Sequence, residues 1–171
     1  MDSKEFLLKI KKDLDRFIEE NYEPEIYLDE CMVCGSARPC YAAEDRVSNR
    51  KLDDVLKHVN DTFQEAMFYH IDSKHLDEVQ VYNDAHIDRR LFSKIRSNKN
   101  FKPSRKTAIC LCIGLKLNLD ETKDLLEKAG YTLSHSSRAD LIIEYFIEIK
   151  EYNLSNLNDV LYAYGEEILY L

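Results

Sequence analysis

Three groups of residues in this chain have the types and spacing to do chemistry. The first is a block of cations. Residues 86–106 hold Arg89, Arg90, Lys94, Arg96, Lys99, Lys102, Arg105 and Lys106 against the single acid Asp88. Such a run is either a solvated surface or an anion-binding face, and the local structure around it decides which. The second is Cys31-x2-Cys34-x5-Cys40, with the spacing of a zinc knuckle. A structural zinc site takes four ligands. Three thiols lie together, and His58 becomes a fourth only if the following helix folds back, so an irregular linker with free thiols is the expectation and Cys31, Cys34 and Cys40 are weak metal candidates. The third is Ser134-His135-Ser136-Ser137, which reads as a turn before a helix, with Ser136 or Ser137 as its cap, rather than as a catalytic group.

The remaining residues argue against an enzyme. His58, His70, His75, His86 and His135 show no metalloprotease pairing, and four glycines leave no phosphate-cradling loop. Cys110 and Cys112 lie two apart on an apolar helix, about 200° around it, so they cannot chelate jointly and belong to the core. No catalytic residue and no cofactor is expected.

Composition bounds the rest. The chain has 171 residues, with 24 Lys+Arg, 32 Asp+Glu and a net charge of −8. That acidity does not exclude nucleic acid, because it is uneven: residues 86–106 carry eight basic groups and one acid, and the excess of acid lies elsewhere. Four Gly and three Pro are too few turn formers for a sandwich or barrel, and the chain reads as all-α. An odd count of five Cys argues against a disulfide framework. The longest apolar run, Ala108 to Leu115, is too short to cross a bilayer, and the charged start Met1-Asp2-Ser3-Lys4-Glu5 has no signal-peptide region. The expected location is cytoplasmic, with no membrane partner.

The elements that must position the cations follow from periodicity and capping. Phe6, Leu7, Ile10, Leu14, Phe17 and Ile18 predict an amphipathic helical arm within residues 1–21, suited to docking on a core or to a short coiled-coil contact. Residues 22–50 lose the period and hold Pro24, Gly35 and Pro39, which predicts an irregular linker. A helical domain is expected over 51–171. Leu52, Val55, Leu56 and Val59 give a short helix. Thr62-Phe63-Gln64-Glu65 is a capping box for the next, continuing to about Leu76. Asp77 caps a helix with Val79, Val81, Tyr82 and Ala85, and Asp88 caps one with Leu91, Phe92 and Ile95 inward and the cations outward. Pro103-Ser104 leads into Ala108–Leu117, apolar nearly all round and so a central buried helix. Asn118 opens a helix that Gly130 ends, Ser137-Arg138-Ala139-Asp140 starts another, and the last is expected from Asn153 to Leu171.

Two short helices joined by a few residues, the second basic outside and apolar inside, suit a DNA-reading pair. Over Asp77 to Arg96, then Lys102-Pro103-Ser104 and the Thr107–Leu117 helix, the sequence resembles the phage-repressor-like (XRE-type) helix-turn-helix family. Ile87, Asp88, Phe92, Ile95, Pro103, Ser104, Leu115 and Leu119 fall where that pattern wants them. The segment from Ile87 to Ile95 is also similar to a helical module at the C-terminus of assorted bacterial proteins, continuing through Ser134-His135-Ser136-Ser137, so the resemblance covers about 62–171. It differs from the family pattern at Tyr82, where a small residue is usual, at His86, where positive φ favours Gly, and at Asp77 and Glu78, where Gln usually meets a phosphate.

The resemblance implies a five-helix repressor-like helix-turn-helix domain, with the motif at 77–98, the N-terminal arm and two extra C-terminal helices. It implies that Arg89, Arg90 and Ser93 face base edges in the major groove of double-stranded DNA, while Lys94, Arg96, Lys99, Lys102, Arg105 and Lys106 meet phosphates. The expected function is a sequence-specific transcriptional regulator of bacterial or phage type, with the arm and the C-terminal helix pair available for a homodimer. The alternative is a protein-interaction adaptor that uses the same module on a protein partner without DNA.

Overall fold

Side chains at the helix starts set the boundaries of most elements in the computed structural model, which describes residues 3–24 and 61–169. Among the described residues there are eight helices and no strand. They are α1 (Ser3–Asn21), α2 (Phe63–Ser73), α3 (Glu78–Asp84), α4 (Arg89–Ser97), α5 (Arg105–Gly114), α6 (Leu119–Ala129), α7 (Arg138–Glu148) and α8 (Leu154–Ala163). Thr62 and Asn118 form capping boxes with Glu65 and Glu121, each satisfying two backbone groups that a helix start leaves unpaired. Asp88, Ser104, Ser137 and Asn153 accept from the first-turn amides of α4, α5, α7 and α8. Asp77 precedes α3, but its side chain makes no capping bond.

The helix ends share one device. The amides of Leu76, Ile87, Leu117, Tyr131, Glu151 and Glu166 each reach back five residues to a helix carbonyl. The residue before each has positive φ: His75, His86, Lys116, Gly130, Lys150 and Gly165. This is the Schellman termination, and only two of the six positions are glycine. A non-glycine residue there costs about 1 kcal/mol. The same three-residue string, left-handed residue, apolar anchor, N-cap, makes the turns His75-Leu76-Asp77, His86-Ile87-Asp88 and Lys116-Leu117-Asn118. It allows closely spaced helices in a chain with four glycines.

Helix α5 lies at the centre, with every residue from Thr107 to Gly114 buried. Its C-terminal Gly114 lets α3 cross at contact: a Cβ there would sit 2.8 Å from both Ala85 Cβ and the Val81 carbonyl oxygen. Cys110 and Cys112 are free thiols within this core, and burial pushes the Cys110 thiol up to about 12.

Helix α1 belongs to the same compact unit as residues 61–169. It buries Ile10 and Leu14 and sets Phe6 edge-on to Phe146 and Phe17 against Tyr145 of α7. Asp15 accepts from the Tyr164 hydroxyl at 2.5 Å, just past α8. No described helix is long and apolar enough to cross a membrane.

The last helix stops at Ala163 rather than running to Leu171, because Gly165 takes positive φ and Glu166 closes the termination. The chain then folds back, and the Leu169 amide donates to buried Asn158 at 2.6 Å. The central helix likewise ends at Gly114, since Lys116 is left-handed. The short helix expected near Leu52–Val59 lies outside the described residues.

Candidate nucleic-acid interface

Helix α4 is amphipathic in the simplest way. At about 100° per residue, Leu91, Phe92 and Ile95 share one side, while Arg89, Ser93, Arg90 and Lys94 spread over about 140° of the other. Phe92 and Ile95 are buried, and Arg89, Arg90, Ser93 and Lys94 are exposed. The side chains beneath hold the helix firmly. The Phe92 ring meets Phe68 of α2 at 6.2 Å and Tyr82 of α3 at 5.6 Å. Tyr82 therefore fills the space between α3 and α4 as a packing ring. From the far end, buried Gln64 of α2 donates to the Arg96 carbonyl at 2.6 Å, satisfying a carbonyl in the last turn.

The turn before α4 is equally determined. His86 has φ +52°, Ile87 is buried, and the Ile87 amide donates to the Tyr82 carbonyl at 2.8 Å. Asp88 then accepts from the Arg90 amide at 2.9 Å. Two helices joined by residues 85–88 thus present the second one's polar face outward on a rigid base.

The eight cations of the block divide by their partners. Among the described residues Arg89, Arg90, Lys94 and Lys102 make no ion pair, and all four are exposed. Arg96 meets Glu78 at 2.9 Å, with side-chain exposures of 64% and 31%. Lys99 meets Glu65 at 3.4 Å, with both side chains substantially exposed. Thr62's backbone amide, then its hydroxyl, and Lys99 hold the Glu65 carboxyl below its ordinary value. Arg105 and Lys106 instead tie helices together. Arg105 reaches Asp140 of α7, itself buried, at 2.6 Å. Lys106 reaches Glu167 at 2.5 Å and the Ile168 carbonyl at 3.0 Å.

The partners were invisible to sequence spacing. Arg96–Glu78, Lys99–Glu65, Arg105–Asp140 and Lys106–Glu167 are separated by 18, 34, 35 and 61 residues. Only the tertiary arrangement brings them together. Gln64, the anchor of the α4 C-terminus, was likewise legible only as part of a capping box.

The other candidates are structural or lie out of view. His135 sets Nε2 3.2 Å from Glu144, a buried carboxylate also reached by Lys123 at 3.1 Å. The His135 carbonyl accepts from the Glu23 amide at 3.1 Å, so this residue fastens the chain leaving α1 to the start of α7. Ser137, not Ser136, is the cap. Cys31, Cys34, Cys40 and His58 lie outside the described residues. Among the described residues no three His, Cys, Asp or Glu side chains are placed to hold a metal ion.

Compared with protein families, curated proteins and solved structures, the chain matches none.

Proposed function

We propose that this protein is a DNA-binding regulator of helix-turn-helix type, in which α3 and α4 form the motif and α4 enters the major groove of a duplex. One observation carries the reading. Arg89, Arg90 and Lys94 stand exposed on the outer face of one well-anchored helix without carboxylate partners among the described residues, where the fold has given other cations of the block a partner. Arg89 and Arg90, in the first turn, are placed to meet guanine O6 and N7, and Ser93 is one turn further along. Lys94 and Lys102 serve phosphates, joined by Arg96 and Lys99 when these exchange a carboxylate for a phosphate. Arg105 and Lys106 support the helices instead. Binding to duplex DNA measured over a range of salt concentrations tests the reading. Contact of Lys94, Lys102, Arg96 and Lys99 with phosphates predicts a log–log slope of about −4. A protein that binds no duplex even at low salt refutes it.

A second reading, a protein-interaction module, is favoured by Val79 on α3, which is 49% exposed beside Glu78 at the start of that helix. In that case the α4 face meets an acidic protein, and a stoichiometric protein partner recovered from the native host without DNA distinguishes it.

A further inference from the structure

We infer that Glu65 and Glu78 are intramolecular competitors for the nucleic acid: each occupies a cation at the edge of the α4 face and lowers affinity for the phosphate backbone. The inference rests on the DNA reading and adds the residues that set its strength.

The geometry points this way from both sides. Glu78 opens α3 and takes Arg96 from the last turn of α4 at 2.9 Å, which draws an exposed guanidinium back across the helix pair. Glu65, in the first turn of α2, takes Lys99 just past α4 at 3.4 Å. Both pairs are solvated, so each is weak enough to exchange for a phosphate oxygen. Glu65 is a solvated carboxylate, and the Thr62 amide and hydroxyl, which hold its other oxygen in the capping box, lower its pKa further. A carboxylate that remains beside the cation still repels the incoming phosphate after the exchange. The two acids therefore act twice, by occupying a cation and by adding negative charge at the rim.

This differs in kind from the pairs deeper in the block. Asp140 is 2% exposed, so Arg105 cannot leave it without stranding a buried carboxylate, and Lys106, though its partner Glu167 is exposed, is also held by the Ile168 carbonyl at 3.0 Å.

The test uses the full chain and a mixed-sequence duplex, with Glu65→Gln, Glu78→Gln and the double variant. Gln at 65 keeps the capping box, because its amide oxygen can still accept from Thr62. Each single change is expected to tighten binding about three- to tenfold at low salt and to steepen the salt slope by up to about one. Repeating Glu78→Gln in an Arg96→Ala background separates local competition from net charge. The gain must shrink there, and a control at Asp159→Asn on α8 must give less than twofold. Equal gains in both backgrounds, or unchanged affinity in a wild type that binds duplex, overturn the inference alone. No binding by wild type or by the double variant overturns the DNA reading and this inference with it.

Discussion

On the outer face of α4, Arg89, Arg90 and Lys94 extend with no carboxylate in ion-pairing range among the described residues, whereas Arg96, Lys99, Arg105 and Lys106, a few positions on, each meet one. In the sequence both stretches are rich in positive charge. In the fold, acids from α2, α3, α7 and the segment after α8 reach only the second stretch. Asp88 lies in the first, and it is spent on capping the helix. A charge run thus reports potential anion binding at the level of the segment, and tertiary pairing decides which side chains are left to do it. The pairs also differ in depth. Those of Arg96 and Lys99 are solvated and exchangeable, while that of Arg105 rests on a carboxylate buried to 2% exposure and is structural.

This contrast can be broken most forcefully at its free end. Replacing Arg89 and Arg90 together with Ala should cost about 2–6 kcal/mol of duplex-binding free energy and leave the melting curve nearly unmoved, since neither side chain holds another element. A double variant that binds as well as wild type removes the distinction between the stretches. At the structural end, Arg105→Ala should destabilise folding by about 2–3 kcal/mol in chemical denaturation, because it leaves the Asp140 carboxylate with the Ser134 amide alone across that contact; the half-exposed Arg105 keeps the loss below that of a fully buried pair. Its effect on binding should follow from the unfolded fraction only.

Smaller effects sharpen the boundary. Lys102→Ala should weaken binding by about 1 kcal/mol, equally across DNA sequences, and flatten the salt slope by about one, as expected of a phosphate contact. The smallest change lies outside both stretches. Lys150→Gly should raise stability by up to about 1 kcal/mol, because Lys150 has φ +57°, and should leave binding unchanged. A loss of stability there would mean that its side chain does more than tolerate the turn.

Much of the helical layout was legible because it is written locally. Thr62, Asp88, Ser104, Asn118 and Ser137 announce helix starts by side-chain chemistry, and each caps the helix expected of it. The apolar stripe of residues 3–21 likewise gave α1 its bounds. Helix ends were harder where the left-handed residue is not glycine. Lys116 and Lys150 carry no compositional mark of a turn, so the apolar run to Leu117 extends past the actual end of α5 at Gly114. The overrun of α8 has another origin, since the apolar Ile168 and Leu169 continue the helical period while belonging to a fold-back held by Asn158. For the candidate site, the inward and outward faces of α4 were readable from spacing, while the positive φ at His86 was implied only by the family resemblance. The division of its cations was not, because each partner comes from 18 to 61 residues away.

The central claim is that the outer face of α4 is the surface that meets DNA. Backbone amide NMR of the full chain, titrated with a mixed-sequence duplex in moderate salt, tests it most directly. Shifts concentrated on residues 88–97 and around Lys102, with α1 and α8 unmoved, are the predicted result. An unchanged spectrum at duplex excess, or shifts confined to α1, α7 and α8, would contradict it.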